Sequence, residues 1–359
     1  MCNVTQMGTE PRSRRPTMTD VARAAGVSPM TVSYAYSRPE RVSADAAAKV
    51  LQAAERLGYP GPHPTARSLR RGRADSLGVV LGEHLTYAFE DPQAARFLAG
   101  VAQVCAERAV GLTIVPVTGA PTDLNRVRQA AVDGFVVWTT ADDDPVLDAV
   151  AARGLPVVIH GGPLRRRLPC VGIDDRAAAR AIGRVAFAGA RRPAILSFPL
   201  ARDRRAQVLL LGPEPEIATY PVTRERLAGL RDALHEVGGD WSRMPVAVCA
   251  VNAADEGAEA AADRLRGRAA VDALAAMSDE LALGALLAAR EAGVTVPDQL
   301  AVTGWDDTPA AAPAGLTTVR QDLREQGARC ARIALGEADR SAADSRQQWT
   351  IVRRGSSRG

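Results

Sequence analysis

The chain is poor in lysine, aromatic residues and histidine. Lys49 is the only lysine among 45 basic residues, Phe, Trp and Tyr together make up 4% of the chain, and there are four histidines. The five cysteines, Cys2, Cys105, Cys170, Cys249 and Cys330, are odd in number and show no C-x-x-C or Cys/His spacing. A disulfide framework and a zinc site are thereby excluded, and reduced, structural thiols with no bound metal are expected. No apolar run approaches the roughly 20 residues of a membrane span, and no signal peptide precedes the first helical segment. A cytoplasmic protein with no membrane partner is therefore expected. No G-x-S-x-G, P-loop or G-x-G-x-x-G stands where chemistry would need one, so we expect no catalytic residue, no cofactor and no enzyme.

What the chain does have is an uneven distribution of charge. Residues 1–73 hold 12 Lys and Arg against 5 Asp and Glu, and the remainder holds 33 against 36. Basic charge gathered on one small module fits a polyanionic partner, with an affinity that falls steeply with salt.

That module reads as a helix-turn-helix. In Thr19 to Ser37, TDVARAAGVSPMTVSYAYS, the apolar residues of the first segment have helical spacing, with Thr19 as N-cap and Gly26 as the left-handed stop. Ser28 caps a second helix, with Pro29 at its first position. Ser43 caps a third that runs to Leu57, where Val50, Leu51, Ala54 and Leu57 close a three-helix core. In such a unit the second helix lies in the major groove and presents its early residues to base edges. Thr19, Ser28, Pro29, Met30, Thr31, Ser33 and Tyr34 are the candidate DNA contacts, with Tyr59 after the third helix. The alternative is a plain helical bundle with no nucleic-acid role. Next comes PGPHPTARSLRRGR, a Pro-broken strip ending in a short basic helix too small for a core of its own. A minor groove would order it, with Leu69 wedged between base steps and Ala66, Arg67 and Arg70 on the groove and phosphates.

Beyond Ser76, apolar runs alternate with helical segments: LGVVL, LTIVPV, GFVVW, PVVIH, CVGI, PAILSF, VAVCAV, VDALAAM and LAVTGW. This is the signature of an α/β fold with parallel sheets, long enough for two lobes.

TMTDVARAAGVSPMTVSYAYSRPERVSADAAAKVLQAAERLGY, then ARSL, LGVVL, VGIDDRAAARAIGRVA, RERLAGLRDAL, MSDELALGALLAAREAGVTVPDQLAVTGWDDTPAA and LTTVRQDLREQGARCARIAL follow in order. In this the chain resembles the LacI/GalR family of bacterial transcription regulators along nearly its whole length. The resemblance implies a headpiece and hinge that bind operator DNA as a homodimer, and a periplasmic-binding-protein-like body that binds a small effector, such as a sugar or sugar derivative. The expected divisions are a disordered basic tail over 1–16, the headpiece over 17–61, a hinge over 62–75, the body over 76–352 and a flexible tail over 353–359. That tail carries no leucine heptads, which favours a dimer. A solute-binding protein or sensor without DNA regulation, or a nucleoside-responsive regulator, are the alternatives.

Ligands of open α/β sheets sit beyond the carboxyl ends of the strands, so the polar residues after the apolar runs are the candidates. These are Asp174, Asp279 and Asp306, with Arg224 at the start of RERLAGLRDAL. The resemblance implies effector contacts at Arg224, Asp306 and Ser278. An aromatic covering a ring face would be Trp305, Tyr87 or Phe89. Against these readings, Asp279 could cap its own helix, and Asp174 with Asp175 could cap a helix beginning at Arg176. His84 and His160 follow strands, but no spaced partner makes either a metal ligand.

Overall fold

The computed structural model describes residues 15–61, 72–82, 85–165, 168–266, 270–337 and 344–358. It divides into two compact units, residues 1–74 and residues 75–359.

Among its described residues the first unit has three α-helices, α1 (Met18–Ala25), α2 (Pro29–Ser37) and α3 (Ala44–Leu57). Thr17, not the expected Thr19, caps α1. Its hydroxyl accepts from the Asp20 amide while the Asp20 carboxylate accepts from the Thr17 amide, so two orphan donors are satisfied reciprocally. Thr19 lies inside the first turn because the acidic partner must stand three residues after the cap. Gly26 and Gly58 end α1 and α3 at φ 65°, and Ser28 and Ser43 cap α2 and α3 as expected. The core is Val21, Ala22, Val32, Val50, Ala53 and Ala54. Leu51 and Leu57, expected inside, are 53% and 37% exposed, because Ala53 completes the inward stripe with Val50 and Ala54.

The second unit holds two sheets. The first has the order β12-β5-β4-β3-β1-β2, from β1 (Ser76–Leu81), β2 (Gly111–Pro116), β3 (Gly134–Trp138), β4 (Val157–His160), β5 (Cys170–Gly172) and β12 (Asp344–Arg346). The second has the order β13-β11-β10-β9-β6-β8-β7, from β6 (Pro193–Ser197), β7 (Gln207–Leu209), β8 (Val246–Val248), β9 (Ala273–Ala276), β10 (Ala301–Asp306), β11 (Thr317–Gln321) and β13 (Trp349–Val352). Each of the nine apolar runs supplies a strand. The pairings are parallel except at the edges, where β7 meets β8 and β13 meets β11 antiparallel. The central strands are buried on both faces, as helices on both sides of a parallel sheet require. Among the described elements the chain crosses between lobes three times: after β5, after β11, and between β12 and β13.

Scarcity of aromatics shapes the helix layer. Trp305, Phe97, Phe135 and Phe187 are the largest fully buried side chains, and elsewhere helices close in through small residues. Helices Ala254–Ala262 and Asp279–Glu291 meet through a reciprocal pair. A methyl on Gly284 would lie 1.9 Å from the Ala254 carbonyl oxygen, and one on Gly257 would lie 2.4 Å from that of Leu281. Backbone cannot yield as a flexible side chain would. Gly284→Ala, which in an open helix would stabilise by about 1 kcal/mol, is here expected to cost about 3 kcal/mol. Thermal unfolding followed by circular dichroism gives the sign, and an unchanged or raised midpoint would refute the close approach.

The segment after Val352, expected as a flexible tail, is built into the second lobe. The Ser356 hydroxyl accepts from the Thr317 amide at 2.8 Å and donates to the Val302 carbonyl at 2.7 Å, while Arg354 reaches Asp307 and the Leu316 carbonyl. Pairing of β13 with β11 draws these residues across the lobe. Cys105, Cys170, Cys249 and Cys330 are buried and stand outside any disulfide among the described residues.

Candidate functional site

A cleft between the two lobes opens beyond the carboxyl ends of the strands, with an empty volume of about 960 Å³ including its mouth. The first lobe supplies Tyr87, Asp91, Gln93, Trp138 and His160, the second Phe198, Tyr220, Arg226, Asn252 and Asp306, and the crossovers Asp175, Gln321 and Gln326.

Arg226 is its electrostatic centre. It stands on helix Pro221–Glu236, buried to 6% exposure, with Nε donating to Asp175 Oδ1 at 2.9 Å and Nη1 to the Met277 carbonyl at 2.6 Å. The guanidinium lies 3.9 Å from the Trp305 ring centroid and 5.4 Å from that of Phe198, a stacked cation between two aromatic faces. Burial raises the Asp175 carboxyl, and Arg226 opposes the rise.

Asp306 ends β10 at φ 105°, with Asp307 following at φ 51°. Two successive non-glycine residues in the left-handed half of the map are strained, and the surroundings enforce it. Asp307 holds Arg320 and Arg354, while Asp306 Oδ1 accepts from Gln321 Nε2 at 2.6 Å. Burial pushes the Asp306 carboxyl up to about 7. Arg226 and the Gln321 bond oppose the rise, and Asp279 and Asp91 add to it. Across the cleft, Asn252 donates to Asp91 at 2.7 Å and accepts from Ser278 at 2.5 Å, joining the lobes.

The structure sorts the expected residues. Tyr87 and Asp306 line the cleft. Arg224 does not: it pairs with Asp142 on the rim and bonds the Ala218 carbonyl. Two residues along a helix turn a side chain about 200°, so Arg226 takes the inward direction instead. Asp174 is a clamp on two crossovers, capping Asp175–Phe187 through Ala177 and accepting from Arg346 at 2.6 Å, while the adjacent Asp175 faces the cleft. Ser278 caps helix Asp279–Glu291, and Asp279, fully buried, accepts from the Thr308 amide and Thr318 hydroxyl at 2.6 Å each. Trp305 backs Arg226 from behind the wall, and Phe89 is 71% exposed outside it. Reading strand ends found Asp306 but passed over Asp91, Gln93, Trp138, Asn252, Gln321 and Gln326. Arg226 had a legible signal: it shares the helical face of Leu230 and Ala233, both buried.

On the headpiece, Ser28, Pro29 and Met30 open α2 and are exposed, Thr31 bonds Ser28, and Tyr34 is half-buried. Ser33, expected among the base readers, is 1% exposed and points with Val32 into the three-helix core. Tyr59 stands edge-on to Tyr36 at 6.1 Å, a packing role. Thr19 is exposed on α1. Ala66, Arg67, Leu69 and Arg70 lie outside the described residues, as does His84.

Residues 17–61 match the family described as bacterial regulatory proteins, lacI family, and residues 200–357 match the periplasmic binding protein-like domain. An HTH-type transcriptional regulator of Mycobacterium tuberculosis is 41% identical over 334 residues, covering 92% of each chain. A solved LacI-family transcriptional regulator from Corynebacterium glutamicum is 31% identical with a TM-score of 0.70, covering 96% of this chain and 99% of that one. A complex of the regulator CelR with cellobiose is 27% identical with a TM-score of 0.65, covering 95% and 100%. A helix-turn-helix headpiece followed by a two-lobed α/β body with a polar cleft, and relatives alike along nearly their whole length, make this chain a member of the LacI family of bacterial transcriptional regulators.

Proposed function

We propose that the protein is a ligand-controlled, non-catalytic repressor that acts in the cytoplasm, binding a pseudopalindromic operator as a homodimer and changing its DNA affinity when an uncharged polyhydroxy compound, such as a sugar, enters the cleft. The reading of the cleft rests on one observation. Among the described residues the one cation buried in its wall, Arg226, is already paired with Asp175, and Asp306 and Asp91 line the same cleft, so an anionic ligand would find no unpaired counter-charge there and would be repelled. Beside them stands the Trp138 indole, a flat apolar surface of the kind that covers a sugar ring.

On the headpiece side, the exposed start of α2, Ser28, Pro29 and Met30 with Tyr34, reads base edges, and Met30 suits thymine methyl groups. Leu69 is the wedge of the hinge. Two headpieces on two half-sites account for a symmetric operator.

Full-length protein incubated with fragmented DNA of its source organism at moderate salt, with and without a panel of neutral sugars, is expected to enrich one pseudopalindrome that a binding sugar either releases or strengthens. Protein lacking residues 1–73 is expected to lose the DNA and keep the sugar. Absence of enrichment under every condition would overturn the regulator reading, and sugar binding without any effect on DNA would overturn the control.

A further inference from the structure

Behind the cleft runs a line of buried side chains that crosses from one lobe to the other: Asp306, Gln321, Gln326, His160. Its polarity follows from its end. Ionised, as it is above about pH 7, the Asp306 carboxylate can only accept, so Gln321 turns its amide nitrogen to it, at 2.6 Å. The Gln321 oxygen is then left to accept from Gln326 Nε2, at 3.0 Å. Gln326 in turn presents its oxygen to His160 Nε2, at 2.7 Å. His160 Nε2 must therefore carry the proton. Burial holds the ring neutral, its pKa lowered to about 4 with Arg226 adding to the depression, and a neutral imidazole has one N–H.

Nδ1 is thus a bare acceptor, and among the described residues it has no hydrogen-bond partner. His160 lines the cleft at 7% exposure, its ring stacked on Trp138 with centroids 4.9 Å apart. Two further residues of the same lobe line the cleft with unpartnered buried atoms, Gln93 with both amide atoms and Thr139 with its hydroxyl. Buried polar groups without a protein partner at the wall of a cleft are the signature of a partner that comes with the ligand.

We propose that His160 is a ligand-reading residue, its Nδ1 accepting a hydrogen bond from a hydroxyl of the bound compound because the one-way chain through Gln326 and Gln321 to Asp306 fixes the opposite tautomer. Gln93 and Thr139 complete the polar wall, and the chain makes Gln321 and Gln326 positioning residues. The inference rests on the cleft being the ligand site. A hydroxyl suits Nδ1 better than an ammonium group, because Arg226 disfavours a second cation there.

The test uses full-length protein labelled with ¹⁵N-histidine. His160 is one of four histidines and is assigned by its disappearance in His160→Gln. Long-range proton–nitrogen correlation above pH 7, where Asp306 is ionised, is expected to show a neutral ring protonated at Nε2. Asp306→Asn, whose amide can present either atom, is expected to mix the two tautomers. Titration with neutral mono- and disaccharides, ribose and cellobiose among them, should shift Nδ1 far more than Nε2 for any sugar that binds. His160→Gln, which keeps a polar group toward Gln326 but has no Nδ1, should bind that sugar about tenfold more weakly. An Nδ1-protonated or doubly protonated ring would overturn the proposal. So would a sugar that perturbs Trp138 fluorescence yet leaves Nδ1 unmoved and binds His160→Gln equally, although the cleft would then remain the ligand site. Failure of every sugar to bind the wild type would overturn both.

Discussion

Arg226→Met is expected to lower the stability of the two-lobed body by about 3–5 kcal/mol and to abolish ligand control of DNA binding. Methionine fills much of the volume but restores none of the polar partners. The Asp175 carboxylate, its side chain 12% exposed, loses its counter-charge, and the Met277 carbonyl loses its donor. The stacked contact with Trp305 is lost as well. Removing one member of a buried pair costs more than the pair contributes, because the survivor stays desolvated. The double variant Arg226→Met with Asp175→Asn is therefore expected to recover a large part of the loss. Arg226→Lys should recover little, since an ammonium group has neither the forked donors nor the flat face that Asp175, Met277 and the two rings require. Denaturant unfolding of the three variants gives these differences directly. Equal stability of Arg226→Met and wild type would mean that the cleft does not depend on this ion pair.

The headpiece was legible because its signals are local. Caps, a left-handed glycine and a proline at the first helical position all act within four residues, and α2 and α3 begin, and α1 and α3 end, where those signals stand. Thr19 failed as the cap because the choice among Thr17, Thr19 and Asp20 depends on which acidic side chain can reach back. The sheets were legible where strands are central, since a strand buried on both faces must be apolar throughout. Four strands went unread: β7 and β12 are edge strands of three residues and carry no such constraint, β7 lying in the Arg-rich, Pro-broken stretch before Tyr220, while β11 (TTVRQ) and β13 (WTIV) hold polar residues that break an apolar run. The cleft was the least legible part. Its walls come from residues up to 239 positions apart, as from Tyr87 to Gln326, and what places a polar residue there is helix phase and crossover geometry rather than proximity to a strand end. Arg224 and Asp174 were each near a residue that does face the cleft, and both went instead to ion pairs that tie rim or crossovers together.

Asp306→Asn is expected to make the protein more stable above neutral pH and poorer at binding its ligand. Asparagine tolerates a positive φ as aspartate does, and its side-chain oxygen can still accept from Gln321, so the backbone at the end of β10 is kept. What is removed is a charge in a buried place. With its pKa pushed up to about 7 by burial, folded Asp306 retains a proton that the unfolded chain has released once the pH passes about 4. Between those values the folded state binds more protons than the unfolded one, so this group lowers stability as the pH rises, by on the order of 4 kcal/mol once the pH is well above 7. The asparagine variant has no such slope. Asp279, raised to about 6, and His160, lowered to about 4, titrate in overlapping windows with opposite signs, but both are present in the two proteins and largely cancel in the difference. The variant's advantage in melting temperature should thus be near zero at pH 4, grow up to pH 7 and level off beyond it. Melting curves of both proteins across that range measure it, and a difference independent of pH would show that Asp306 is not held against its own ionisation. A natural chain that keeps a destabilising carboxylate here, strained at φ 105° and bound to the lobe-crossing chain of amides, is expected to do so for the ligand, so the stability gained by its removal and the affinity lost should appear in the same variant.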